Sequence, residues 1–401
     1  MVIVGASVAG IRTAQALRRQ GFDGAITIIG EETHRPYDKP PLTKQMLTPD
    51  AARAVVPLLL DEELDALDVD LRLGVRAVAL DPGTKTVLSA DGEQLGYSKL
   101  VIATGLRPVT LPGAAELDGV YTVRSADDAL ALHDELTRAR RAVVIGAGFI
   151  GAEFASAARE HGVAVSIVEA QDTPLAHLLG PEVGSMLAML HALNGVTVIT
   201  GVGFARFEGA GRVTGVTLTD DRVIPADMVV VGIGARPATE WLASSGLPVP
   251  DGVLCDENLR VTGFPDIYAA GDVARWRHGI YQAELRIEHW TNANEHAAIV
   301  AASILGKTAP APQVPYVWSD QYGRRIQIVG RPSTGEVAVI RGGIEEDSLV
   351  AVYTEPTGIV VGAVCVGDPR TMMKCRKAIA KRLPLADLGL GDTIAAGGQG
   401  T

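Results

Sequence analysis

The stretch Val143 to Glu153, VVIGAGFIGAE, reads as a β-strand running into a glycine turn and then a helix. Gly146, Gly148 and Gly151 fit the spacing G-x-G-x-x-G, with an apolar run before them and a helical pattern after. In that arrangement the turn lets a pyrophosphate approach the backbone, and the helix N-terminus supplies N–H donors and a positive dipole end. One such match is weak, but here it is the second. The chain opens on MVIVGASVAG, the same device with Gly5 and Gly10 in place and Ser7 at the middle glycine position. Gly5 and Gly146 lie 141 positions apart. Two dinucleotide sites in one chain suggest a protein that passes electrons between two nucleotide cofactors.

Each fingerprint leads to a second strand and an acid. Ala25–Ile29 is followed by Gly30 and Glu31, 26 positions after Gly5, and Ala164–Val168 closes on Glu169, 23 positions after Gly146. A carboxylate about 20 residues along hydrogen-bonds a ribose. At position 169 it favours a 2′-hydroxyl and repels a 2′-phosphate. Ala170, Gln171 and Asp172 follow it, with no arginine to pair such a phosphate. NADH over NADPH is the expectation.

At 401 residues the chain has room for two or three domains, each with its own core. Hydrophobic residues at 47% and 45 glycines suit closely packed βαβ units, while aromatics reach only 4%. A net charge of −11 argues against non-specific nucleic-acid binding. The three cysteines, Cys255, Cys365 and Cys375, have no metal-ligand or C-x-x-C spacing and read as structural thiols in a reducing cytoplasm. No metal site is expected. The sequence begins in a strand without a basic leader, and no apolar run approaches the roughly 18 residues of a membrane span.

Along the chain, Val2–Val4 is a strand and 7–20 a helix. In HRPYDKPPLTK, Pro40 and Pro41 predict an extended lead-in, with a helix able to start over 42–47. VDLRL, RAVAL, KTVLS and KLVIATG read as strands within 69–105, and 127–138 as a helix. Strands at 197–199, 212–218 and 228–231 complete the second unit, and GIGARP, 232–237, leads out of it. PDIYAAGDVA, from Pro265, is a strand ending in Gly271-Asp272, and a long helix covers about 292–305. APAPQVP, 309–315, looks like a linker. Alternating patterns beyond it predict an antiparallel sheet, then a helix at about 371–383 and a mobile tail, GDTIAAGGQGT. Ala103-Thr104-Gly105 and Gly271-Asp272 both end apolar strands, at the sheet edge where ligands bind. Asp272 there can accept from ribityl hydroxyls, or it can be a plain helix N-cap.

GASVAG, Glu31, ATG, GAGFIGAE, GIGARP and YAAGDVA together resemble the two-dinucleotide flavoproteins related to glutathione reductase. Within that class KPPLTK, RIEHW and WSDQYG resemble the NADH-dependent ferredoxin reductases of oxygenase and cytochrome P450 systems, the putidaredoxin reductase and biphenyl dioxygenase reductase family. The resemblance spans essentially the whole chain. It implies an α/β fold of two Rossmann-like domains, one nested in the other, and a C-terminal α+β interface domain. The expected boundaries are 1–108 and 238–308 for the FAD-binding domain, 109–237 for the NAD-binding domain and 309–401 for the interface domain.

By the same resemblance FAD takes Gly5, Ser7, Val8, Ala9, Gly10, Glu31, Lys39, Pro40, Lys44, Ala77, Ala103, Thr104, Gly105, Arg124, Gly271, Asp272, Glu288, His289 and Trp290. NADH takes Gly146, Gly148, Phe149, Ile150, Gly151, Glu153, Glu169, His177, Gly232, Ile233 and Gly234. Lys44 matches a lysine near the flavin N5, where a cation stabilises the reduced ring, and Glu153 a glutamate that meets the nicotinamide and pairs with that lysine. Arg124 matches an arginine near the FAD phosphates, and Ala77 a backbone contact to adenine. Trp290 and Trp318 match positions near the flavin and the partner surface, or are simply core aromatics. Three residues depart from the family: Lys39 and His177 stand where arginine is common, and Thr43 replaces a serine. Lys39 loses the planar bidentate donor.

The implied activity is NADH:ferredoxin oxidoreduction, with hydride passing from NADH to FAD and single electrons to a [2Fe–2S] ferredoxin. A direct reductase of a small molecule, of quinone or monodehydroascorbate type, is the alternative. A thiol enzyme of the same fold needs a cysteine near 40–44, and none occurs before Cys255. Arg370, Lys374, Arg376, Lys377, Lys381 and Arg382 form a basic run without an acid. Lys374, Lys377 and Lys381 share a helix face, which reads either as a dock for an acidic ferredoxin or as a solvated face.

Overall fold

A computed structural model describes residues 1–390, so the expected mobile tail lies outside the described residues. The chain forms two compact units. The first comprises Met1–Pro41, Val55–Arg107 and Ala235–Gln313, and the second Leu42–Ala54, Pro108–Gly234 and the chain from Val314 onward. The second unit therefore holds residues 109–234 of the segment expected to bind NAD, the expected interface domain from Val314 onward, and thirteen residues of the proline-rich stretch and its continuation.

The first unit is built on a five-stranded parallel sheet in the order Ile267–Ala269, Leu100–Ile102, Val2–Val4, Thr27–Gly30, Asp70–Leu73. Val2–Val4 is central and wholly buried, as an unbroken apolar triplet should be in a sheet covered on both faces. The first fingerprint helix, Val8–Arg19, buries Ile11, Ala14 and Leu17 in the same core as Ile299 and Val300 of the helix Trp290–Ile304. Two three-stranded sheets also belong to the unit: Ala77–Asp81, Thr86–Ser89 and Gln94–Gly96, and Val253–Cys255, Ala274–His278 and Ala283–Arg286.

The second unit repeats the parallel design in the order Thr197–Thr200, Ala164–Glu169, Arg141–Ile145, Met228–Val231, Val120–Tyr121. Its fingerprint helix is Phe149–Glu160. The C-terminal part is a five-stranded antiparallel sheet in the order Tyr316–Gln321, Arg324–Gly330, Val360–Val366, Ser348–Thr354, Glu336–Gly343. The helix Pro369–Ala380 packs Ile379 against this sheet at Gly330.

Two local expectations differ. The prolines do not make an extended lead-in: Pro40–Thr43 is a single 3₁₀ turn, with a second at Gln45–Leu47. The first N–H groups of a helical turn have no intrahelical acceptor, so proline there loses no bond. A helix at Ala176–Leu193 escapes the sequence reading because Gly180-Pro181 looks like a breaker. It bends at Gly180 (φ 77°) and still packs Leu179, Val183, Leu187 and Leu190 into the core of the antiparallel sheet. Tyr353 Oη closes that contact by donating to the Leu179 carbonyl at 2.6 Å.

Candidate functional site

In the first unit, the turn after Val2–Val4 comes so close to the neighbouring strand end that a Cβ on Gly5 (φ +119°) would lie 2.2 Å from the Ala103 carbonyl oxygen. A Cβ on Gly10 would lie 1.9 Å from the oxygen of Gly5, so any side chain there would lift the helix off its turn. Ser7 is the N-cap, in extended conformation, and its hydroxyl makes no capping bond. Val8, Ala9 and Gly10 form the first turn, whose N–H groups have no intrahelical acceptor. Gly271 belongs to the same locus: a Cβ on it would sit 2.9 Å from Ala9 Cβ. Asp272 lies within the 3₁₀ turn Gly271–Val273, which runs straight into a strand, so it caps no α-helix.

Other candidates in this unit are held by specific partners. Half-exposed Glu31 accepts from Arg107 Nη2 at 2.9 Å. Thr104 Oγ1 donates to the Ala238 carbonyl at 2.8 Å, and Gly105 O accepts from Ala238 N at 2.9 Å. Lys39 Nζ donates to Glu32 at 2.8 Å and to Tyr37 Oη at 2.7 Å. Pro40 opens its 3₁₀ turn nearby in the chain. Ala77 starts a strand with a bulge between it and Ala79. Glu288 pairs with Arg286, and Trp290 Nε1 donates to Asp38 Oδ1 at 2.6 Å. His289 is the N-cap of Trp290–Ile304, and its buried Nδ1 has no partner among the described residues. Burial pushes this imidazole down to about 4, so it is neutral at pH 7. One functional neighbour is absent from the sequence reading. His296, fully buried, accepts the Gly271 N–H on Nδ1 at 3.1 Å and so braces the turn that carries Asp272. A lone histidine in an apolar helix carries no local signal for that role.

In the second unit, a Cβ on Gly146 (φ +99°) would be 2.5 Å from the Gly232 carbonyl oxygen and 3.2 Å from Ile233 Cγ2. A Cβ on Gly151 would be 2.3 Å from the Gly146 oxygen. The fingerprint turn and the Gly232-Ile233-Gly234 loop thus meet. Gly148 is the N-cap and has no side chain with which to block the helix end. Ile150 is 44% exposed and Ile233 38%, although both stand beside this turn. Phe149 packs against the core of the antiparallel sheet, and His177 is exposed in the first turn of Ala176–Leu193. Glu169 Oε2 accepts from Ala147 N and Oε1 from Gln171 N, each at 2.9 Å, so the carboxylate is clamped between the fingerprint turn and its own loop. Arg124 lies in this unit, its N–H donating to Asp128 at 2.9 Å just before the helix Ala126–Leu136.

A dense polar contact is at Glu153, on the second turn of the fingerprint helix and only 4% exposed. Its Oε2 accepts from Lys44 Nζ at 2.7 Å and from Thr43 Oγ1. Its Oε1 accepts from Ser319 Oγ at 2.8 Å and from Asp320 N at 3.3 Å. The C-cap of the same helix, His161, bonds the Leu47 carbonyl through Nε2 at 2.8 Å. Both ends of Phe149–Glu160 therefore grip the Lys44 segment. The cysteines are apart from this chemistry. All three are free and buried, and burial raises every thiol, Cys375 to about 12.

Both glycine turns fit the phosphates they are expected to hold: backbone is packed where a Cβ would stand, and neither helix end is capped by a side chain. Two parallel sheets, each with such a turn at its carboxyl edge, define a two-dinucleotide oxidoreductase. Residues 1–297 match the pyridine nucleotide-disulphide oxidoreductase family and residues 316–395 the reductase C-terminal domain, and the chain belongs to that family. It is 35% identical to rhodocoxin reductase of Rhodococcus erythropolis, over 98% of this chain and 92% of that protein. It is 34% identical to the ferredoxin–NAD(+) reductase component of the biphenyl dioxygenase system of Paraburkholderia xenovorans, over 96% and 94%. Its fold matches the covalent putidaredoxin reductase–putidaredoxin complex with a TM-score of 0.93 at 32% identity, covering 98% of this chain and 95% of that one.

Proposed function

We propose that this protein is an FAD-dependent NADH:ferredoxin oxidoreductase that feeds an oxygenase or a cytochrome P450 from the cytoplasm. The observation that carries the reading is the pair Lys44–Glu153, built onto the second of two fingerprint turns. Among the described residues no cysteine stands there, and the buried thiols stay protonated near neutral pH. Electron transfer without a thiol relay is what such a site supports, and the names of the relatives agree.

Residues 1–108 and 238–308 would form the FAD-binding domain, 109–237 the NAD-binding domain and the chain from 309 onward the interface domain. The first fingerprint would hold the FAD pyrophosphate, with Ser7 offering a hydroxyl in place of the missing glycine. Glu31, Asp272 and His289 would serve the ribose, the ribityl chain and the ring system; the unpartnered Nδ1 of His289 fits a ligand group. The second fingerprint would hold NADH, which would cover Ile150 and Ile233. Bound FAD supplies two-electron uptake from NADH and one-electron release to an iron–sulfur acceptor. Lys44 contributes a cation and Glu153 keeps it in place.

The test is NADH-driven reduction of cytochrome c by the holoenzyme with and without a [2Fe–2S] ferredoxin. The expected result is at least a tenfold stimulation by ferredoxin. Full turnover without it would favour the small-molecule alternative, a quinone or monodehydroascorbate reductase.

A further inference from the structure

The two oxygens of Glu153 face different parts of the chain. Oε2 is bonded by Thr43 and Lys44, and Oε1 by Ser319 and Asp320 of the strand Tyr316–Gln321. Side chains alternate along that strand. Ser319 and Gln321 are buried, while Tyr316 and Trp318 stack on each other with ring centroids 6.0 Å apart. Gln321 Nε2 donates to Ser319 Oγ at 3.0 Å. That occupies a lone pair of the hydroxyl and leaves its proton for Glu153. All four groups around the carboxylate are donors, so both its oxygens are held as acceptors. Lys44 bonds this carboxylate through its ammonium and Asp320 through its backbone N–H, and the Asp320 carboxylate is itself paired with Arg325 at 2.7 and 3.0 Å. The same strand-to-helix seam is pinned once more, one helical turn on, where Ser156 Oγ accepts from Tyr322 N at 2.7 Å.

We propose that Ser319 is a positioning residue that holds the Glu153 carboxylate against Lys44, with Gln321 orienting its hydroxyl. The strand that carries Trp318 thereby becomes a working part of the nicotinamide site. The inference rests on the reading that Lys44 and Glu153 serve hydride transfer. Removing the Ser319 hydroxyl leaves Oε1 with the long Asp320 contact alone, and the carboxylate is free to turn away from Lys44.

The experiment is anaerobic stopped-flow reduction of the FAD-loaded enzyme by NADH, with the flavin midpoint potential measured alongside. The variants are Ser319→Ala, Ser319→Thr, Glu153→Gln and the double variant Ser319→Ala/Glu153→Gln. Ser319→Ala is expected to lower the limiting rate about tenfold while the NADH Kd stays within about twofold. It should shift the midpoint potential in the same direction as Glu153→Gln. Ser319→Thr, which keeps the hydroxyl, should restore both. In the Glu153→Gln background the alanine should have no further effect, as a double-mutant cycle requires of residues that act through one another. An unchanged rate in Ser319→Ala, or the same loss in both backgrounds, overturns the proposal. If Glu153→Gln itself reduces flavin at the wild-type rate, the underlying reading of the site falls and the proposal with it.

Discussion

Glu169 combines an expected ligand role with an observed structural one. The sequence marks it as the ribose acid, and the structure adds that one oxygen holds the fingerprint backbone at Ala147 and the other its own loop at Gln171. The carboxylate is therefore oriented before any ligand arrives. Glu169→Ala should raise the NADH KM about 10- to 100-fold, because a hydrogen bond to a charged group contributes about 1.5–3 kcal/mol. It should not create good NADPH use, since no cation follows at 170–172. Steady-state kinetics with both coenzymes check this. Comparable kcat/KM for NADH and NADPH in the wild type would refute the assigned role.

At the scale of elements, the helix Pro369–Ala380 offers the clearest surface. Asp368 caps it through Thr371, and Thr371, Met372, Cys375 and Ile379 face inward. Arg370, Lys374 and Lys377 are exposed on the outer side with Met373, which is 55% exposed, and Lys381 follows at the C-cap. On a chain of net charge −11 this is a local run of cations around one exposed methionine, and we propose that an acidic iron–sulfur partner docks here. Reversing Lys377 and Lys381 to glutamate should lower the second-order rate of ferredoxin reduction by at least tenfold at low salt and flatten its salt dependence. NADH-driven flavin reduction should be unchanged. Equal rates and equal salt slopes would mean that the helix is only solvated. The helix was legible in the sequence because its apolar and basic periodicities coincide. Ala176–Leu193 was not, because a Gly-Pro pair is locally a stop, and only the sheet packed beneath it makes a bent continuation stable.

For the whole molecule, two further buried histidines join His289 in setting a limit in acid. His191 bonds Tyr322 Oη at 2.7 Å, and burial pushes it down to about 4. His296 is held at about 3 by burial and by nearby His278. Both are depressed, so the folded state binds fewer protons than the unfolded state below the unfolded value of about 6.5. Their contribution is whole above that pH and is lost progressively as pH falls toward 4 and 3, at up to about 1.4 kcal/mol per unit for each group. Thermal unfolding should thus show a steep fall in Tm between about pH 6.5 and 4, and His191→Gln should flatten it. A flat Tm across that window would show that neither imidazole is held neutral by the fold. Among the described residues, no helix is long and apolar enough to cross a membrane.

The sequence alone determined the two glycine turns, their strands and helices, and the acids that follow them. Those are local devices, in which the bond lengths, the missing Cβ atoms and the dipole all lie within about thirty residues. It also marked Lys44 and Glu153, and their pairing, through likeness to relatives. Only the tertiary structure decided that Leu42–Ala54 packs with the second fingerprint unit, that His161 holds Leu47, and that Ser319 shares Glu153 with Lys44. Those bonds span 109 to 166 positions. No local periodicity encodes such a pairing, and it arises only when burial forces each polar group to find its partner in space.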